Sequence, residues 1–202
     1  RQRQMCIRDR AKRPRYQGAG SSTINPYKLT NLLDCLKEQG IECSYAQGYE
    51  RIESENDVTL REEAIEMAKN SELVILCVGL TENFESEGMD RFTLDIPSNQ
   101  NKLIEEICKV NKKVVIVLSN GSPILMPWKD DVQAIITSYL GGEAGAEAMV
   151  NCLIGKVNPS GKLAETYPLS LEDIPCYNYY PGTEVSVESV SYTHLTLPTI
   201  RL

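Results

Sequence analysis

A single histidine, a single tryptophan and two phenylalanines in 202 residues leave this chain short of the side chains that often carry proton transfer or stacking. No two cysteines form a CxxC pair, which removes the usual signature of a zinc knuckle or a dithiol redox site. No apolar run approaches the roughly 20 residues of a membrane span. Lysine and arginine number 21 against 28 acidic residues, so nucleic acid and anionic membrane are poor partners for the surface. The plainest consequence of that charge is solubility.

The two ends read differently from what lies between them. Neither "RQRQMCIRDR" (1–10) nor "VSYTHLTLPTIRL" (190–202) continues a pattern beside it. One allowed set of codons, CGG CAG CGT CAG ATG TGT ATA AGA GAC AG, encodes Arg1 to Asp9 and opens Arg10. Its reverse complement, read with a two-base offset, gives GTC TCT TAT ACA CAT CTG ACG CTG CCG, which is Val190 to Pro198. The shared string resembles a transposase-type sequencing adapter joined to both ends of a DNA fragment. Both tails are therefore set aside from fold reasoning, leaving 11–189 as the native part, expected to be truncated on both sides.

Setting the tails aside sharpens the exclusions. His194, the only histidine, falls in the second tail, so 11–189 has no imidazole for a triad, a proton shuttle or a zinc site, and no metal or cofactor is expected. Without Arg1, Arg3, Arg8, Arg10, Arg201 and Asp9, 16 basic residues face 27 acidic ones, a net charge of −11. Cys35, Cys43, Cys77, Cys108, Cys152 and Cys176 remain, several on apolar faces. They read as buried reduced thiols and point to a cytoplasmic protein.

About 180 residues make one ordinary domain with a real core. "RPRYQGAGSSTINP" is a glycine- and serine-rich loop, and Leu29, Leu32, Leu33 and Leu36 recur at helical spacing until Gly40. Pro26 as first helical residue and Asn25 as cap are the expected start. "IECSYAQG" reads as a short strand, and "TLREEAIEMAKN" as a helix capped by Thr59. "ELVILCVGL" is continuously apolar, as a parallel strand covered on both faces would be. A helix through "SNQNKLIEEICKV", a strand "KKVVIVLSN", a turn "GSPILMPW", a strand "VQAIITSYL" and a helix "GEAGAEAMVNCLIG" follow. Alternation of this kind predicts a doubly wound, mostly parallel α/β sheet sandwiched by helices, here an incomplete domain.

In an open α/β sheet the ligand crevice lies outside the carboxyl ends of the strands. Glu82, Glu85, Glu87 and Asp90 crowd a loop leaving such an end, followed by Arg91. Crowding should raise the proton affinity of at least one acid, while Arg91 lowers that of a neighbour. A general acid needs such tuning. The plainer reading is a solvated loop closed by an Asp90–Arg91 pair. "YQGAGSS" invites a phosphate-cradle reading, although its spacing is not G-x-G-x-x-G and no P-loop lysine follows. "NPSGK" suits a tight turn. Trp128 could stack on a sugar or a base, and suits the core better. "YNYYPG" could form an aromatic platform.

Two long stretches carry a resemblance. "ESEGMDRFTLDIPSNQNKLIEEI" resembles the E-x-E-G-x-D-R…L-x-L-P-x-x-Q-x-x-L-I segment of family 3 glycoside hydrolases, the β-glucosidase-type enzymes. "SYLGGEAGAEAMVNCLIGKVNPSGKLAETYP" is similar to that family's G-x-E-G-G-x-A…L-x-G-x-x-N-P-S-G-K-L-x-x-T-x-P. The match runs from "RYQGAGSSTINP" to "SLEDIPCYNYYPG", with "DIPSNQ" a mild departure. The resemblance implies an α/β sandwich that lends a general acid/base glutamate to a nucleophilic aspartate on a separate (β/α)8-like barrel. By motif position Glu87 is that acid/base, with Glu85 the weaker candidate. Ser21 falls where the family places a serine near the sugar, and Asp90 and Arg91 match a pair expected to hold the loop. The implied substrate is a β-linked glycoside or oligosaccharide, and this polypeptide alone is expected not to turn it over. A nucleotide-binding module built on "GAGSS" and a noncatalytic sugar-binding or scaffold domain are the competing readings.

Overall fold

The computed structural model describes residues 4–7 and 9–179. His194, the whole of 190–202 and the end of "YNYYPG" lie outside the described residues. Along the chain run β1 (Gln4–Ile7), α1 (Asp9–Lys12), α2 (Leu32–Glu38), β2 (Cys43–Ala46), α3 (Asp57–Lys69) and β3 (Leu73–Gly79). Then come α4 (Ser98–Val110), β4 (Val114–Ser119), β5 (Ala134–Thr137) and α5 (Gly145–Leu153). Two single 3-10 turns, Leu171–Asp173 and Tyr177–Tyr179, follow.

The apolar run at 73–80 organises both halves of the core. Side chains alternate across a strand, so Val74, Leu76 and Val78 enter one cluster with Ala64 and Ala68 of α3 and Leu103, Ile104 and Ile107 of α4. Ile75 and Cys77 enter the other with Leu32, Cys35 and Leu36 of α2 and Val150 of α5. β4 repeats the pattern, with Val114, Ile116 and Leu118 on the first side and Val117 on the second. Each buried valine, leucine or isoleucine of these clusters contributes about 1.5–3 kcal/mol of transfer free energy. Continuous hydrophobicity thus reflects two covered faces, as expected for a parallel sheet. Trp128 is 1% exposed in the first cluster and donates from Nε1 to Asn101 Oδ1 at 2.9 Å, a core position. Cys35, Cys77 and Cys108 are buried.

The sheet has five strands in the order β2-β1-β3-β4-β5, and every neighbouring pair is parallel. Its middle contains a surprise for the sequence reading, which gave 1–10 no place in the fold: Gln4–Ile7 lies between β2 and β3, with Gln4 in register with Cys43 and Leu73. Ladder hydrogen bonds use only backbone groups, so a short extended tetrapeptide can occupy that slot whatever its origin.

Helix starts also differ from expectation. α2 begins at Leu32 with Asn31 as cap, its side chain accepting from Asp34 N, and not at Pro26 behind Asn25. The reason is tertiary: Tyr27 N donates to Glu143 Oε1 (2.6 Å) and Thr30 N to Glu143 O (3.2 Å), which holds this segment extended against the loop before α5. α3 begins at Asp57, so Thr59 is interior and caps nothing. The buried Asp57 carboxylate instead accepts from Glu50 N and Ser54 N and closes the preceding loop.

Candidate active site

Strand order reverses between β1 and β3, so the segments leaving their carboxyl ends diverge there and open a crevice, the usual ligand position in such sheets. One wall is the segment 13–31, after β1 and α1. The other is the acidic loop 81–97, after β3. The base of the second wall is rigid. Gly79 ends β3 at φ 139°, where a Cβ would lie 2.0 Å from Ser119 O, so only glycine fits. The fully buried Gln100 of α4 accepts from Gly79 N (2.9 Å) and donates to Gly79 O (3.0 Å), which ties the strand end to the helix.

The acids of the loop do not share one environment. Glu82 is half-exposed and paired with Arg51, whose Nε donates to Oε2 at 3.0 Å. Glu85 turns inward. Its carboxylate accepts from Arg15 Nη1 (2.6 Å), Gly121 N (2.9 Å) and Ser122 Oγ (2.8 Å), while Arg15 Nη2 also donates to Glu85 O. Arg15 is 8% exposed and donates from Nη1 to Leu80 O as well. A carboxylate with this many donors is a strut between the loops after β1, β3 and β4. A Cβ on Gly121 would lie 2.7 Å from Glu85 Oε1, so any larger residue there would displace the carboxylate from its landing point.

Glu87 has the opposite setting. It is exposed at the tip of the loop, and its Oε2 accepts from both Ser21 N and Ser21 Oγ at 2.5 Å. Its own N–H donates to Ala19 O at 3.2 Å. Gly20 makes this approach possible: at φ 102°, a Cβ there would meet Glu87 Cβ at 2.5 Å and Oε2 at 2.6 Å. The sequence-predicted pair Ser21 and Glu87, 66 positions apart, is therefore brought into direct contact.

The expected rise in proton affinity does not occur at Glu82, Glu85 or Glu87, all of which are lowered. At Glu85 burial pushes the carboxyl up, but Gly121, Ser122 and Arg15 together outweigh it and hold it below the ordinary range. At Glu82 burial is likewise outweighed, chiefly by Arg51. At Glu87 the Ser21 hydroxyl, then the Ser21 N–H, lowers the carboxyl against slight desolvation. Crowding in sequence is not crowding in space, because Glu82, Glu85 and Glu87 each have their own donors. An upward shift appears instead at Glu165, through burial and then the charge of Glu85.

Arg91 holds the loop as expected, but without Asp90. Its Nη1 donates to Ser122 Oγ (2.9 Å) and Pro123 O (2.7 Å), and Asp90 is exposed. "GAGSS" does not stand in front of a helix: α2 begins at Leu32, and Ser21 N is spent on a carboxylate, which disfavours the phosphate cradle. Tyr177 and Tyr179 are exposed in the last 3-10 turn. Sequence reasoning missed Arg15, Gly121 and Ser122. The available signal was electrostatic, since an acidic loop at the end of a buried strand needs a cation, and "RPRYQG" supplies one beside it.

The chain is thus a doubly wound α/β domain whose loop after β3 holds Glu87 and Asp90 exposed, with Glu85 tied down between neighbouring loops. The model described as the glycosyl hydrolase family 3 C-terminal domain matches residues 2–194, and the chain belongs to that family. It is 44% identical over 181 residues to thermostable beta-glucosidase B of Acetivibrio thermocellus, covering 88% of this chain and 24% of that protein. It is 45% identical over 179 residues to an exo-alpha-(1->6)-L-arabinopyranosidase of Bifidobacterium breve, again covering 88% and 24%. The solved GH3 beta-glucosidase of Bifidobacterium adolescentis superimposes with a TM-score of 0.85 at 43% identity, over 90% of this chain and 27% of that one. The beta-glucosidase of Kluyveromyces marxianus, at 16% identity and over 87% of this chain and 40% of that one, shares the fold with a TM-score of 0.80. The chain spans about a quarter of the length of the curated relatives it matches.

Proposed function

We propose that this chain is the acid/base-bearing domain of a retaining exo-acting β-glycosidase, with Glu87 as the proton donor and acceptor. The observation that carries the reading is the division of labour within one loop: Glu85 is committed to Arg15, Gly121 and Ser122, while Glu87 stands exposed beside Ser21. In retaining hydrolysis a nucleophilic carboxylate about 5 Å from the acid/base attacks the anomeric carbon. The glycosidic C–O bond breaks as the leaving oxygen takes the proton of Glu87. The resulting Glu87 carboxylate then takes a proton from water, whose oxygen attacks the anomeric carbon and frees the nucleophile. That nucleophile belongs to a barrel elsewhere in the full-length protein.

Exposed apolar residues on the two segments support cover by a further domain: Ile24 and Tyr27 on one, Met89 and Phe92 on the other, Phe92 by 94%. Relatives equally close to this chain are named for a glucosidase and for an arabinopyranosidase, so the choice of sugar is assigned to residues outside this domain. The chain by itself is expected to leave β-glycosides uncleaved. We also propose that 1–10 and 190–202 are adapter-encoded, and sequencing the source DNA across both junctions tests this.

The functional test is Glu87→Ala in the full-length enzyme. Turnover of β-glycosides with poor leaving groups should fall by roughly 10²- to 10⁴-fold, and azide should partly restore it on activated substrates by replacing water as the attacking group. Unimpaired turnover would overturn the assignment.

A further inference from the structure

The Ser21–Glu87 contact does more than place the two residues together. Both donors of Ser21 fall on the same oxygen, Oε2, and none of the described residues donates to Oε1. Backbone closes the arrangement from below, with Glu87 N bonded to Ala19 O and Gly20 packed against Glu87 Cβ. A carboxyl group held on one oxygen by two donors has a fixed plane and one free oxygen.

We propose that Ser21 is a positioning residue which holds Oε2 of Glu87, so that Oε1 alone carries the proton to and from the glycosidic oxygen. This rests on the acid/base reading of Glu87 and changes the role of Ser21 within it. A serine that served only as a sugar ligand would direct its hydroxyl at substrate. Here the hydroxyl and the adjacent N–H both face the carboxylate, and Gly20 permits the approach. The remaining charged groups nearby are engaged elsewhere: Glu82 with Arg51, Glu85 with Arg15, and Arg91 with Ser122 and Pro123. Asp90 is exposed on the same loop, and Glu165 is raised by burial and then by the charge of Glu85. Neither adds to the lowering at Glu87, which comes from Ser21 alone.

Two measurements test the proposal. In the 202-residue chain, a carbon-13 carboxyl titration by NMR should show the Glu87 midpoint move upward in Ser21→Ala, because a donor to the charged form has gone, and return in Ser21→Thr. In the full-length enzyme, Ser21→Ala should lower kcat by roughly 10- to 100-fold through misplacement of the acid. KM should change little, and the alkaline limb of the pH–rate profile should move up. A rise in KM with kcat and the pH limb unchanged would show a sugar ligand and overturn the proposal. So would an unmoved Glu87 titration. If Glu87→Ala is itself fully active, the acid/base reading fails first, and the NMR result then reports on the contact independently of catalysis.

Discussion

Glu85 and Glu87 stand two positions apart in one loop and have opposite surroundings. The inner stretch is clamped to two other loops, by the buried Arg15 guanidinium and by Gly121 and Ser122, and the only side chain bonded to the tip carboxylate among the described residues is Ser21 on the facing wall. A buried ion pair satisfied by further hydrogen bonds sets geometry, whereas an exposed carboxylate keeps an oxygen available for chemistry. The contrast teaches that an exposed carboxylate at a loop tip can be held in place by a second one tied down at the loop's base. The loop can present Glu87 reproducibly because Glu85 and Arg91 leave its base nowhere to go.

The largest expected effect breaks the tip without touching the base. Glu87→Ala should abolish most turnover in the full-length enzyme while leaving the urea midpoint of the 202-residue chain essentially unchanged, as for other surface changes. A comparable loss of stability would show that the tip is structural too. The converse substitution, Glu85→Ala, leaves Arg15 buried beside Leu80 O without its carboxylate, and breaking such a pair costs about 3 kcal/mol. Urea denaturation of the chain should record that loss, and an unchanged midpoint would mean that the strut carries no load.

Acidification probes the same strut more gently. The Glu85 carboxyl is held below its unfolded value, so the unfolded chain binds more protons in that window. Its contribution is complete above the unfolded pKa and is lost as pH falls through the folded one. Thermal unfolding followed from neutral pH downward should therefore show a steeper loss in the wild type than in Glu85→Gln. Parallel curves would contradict the assignment. The smallest effect belongs to the rim: Arg51→Ala removes the half-exposed partner of Glu82 and should shift stability by at most about 1 kcal/mol.

Much of the fold was legible in one dimension. The run at 73–80 must be covered on both faces because it has no polar alternate positions, and the strand–helix alternation after it leaves few arrangements other than a doubly wound sheet. The core position of Trp128 followed from an apolar turn. Helix starts were less legible, since Pro26 offered a good local start that Glu143, more than 100 residues away, overrides by holding Tyr27 and Thr30. The strand Gln4–Ile7 was invisible to a reading that had set it aside. In the site, Glu87 and Ser21 were named from motifs, but the roles of Arg15, Gly121 and Ser122 were not.

What the residues alone determined was the set of competent groups and the strand that presents them, because burial patterns and motif spacing are properties of local chain order. What the tertiary structure decided was which acid is tied down and which one stands exposed. That choice depends on donors arriving from β1 and β4, and on the switch point where their loops meet, and proton affinity is set by neighbours in space, not by neighbours in sequence.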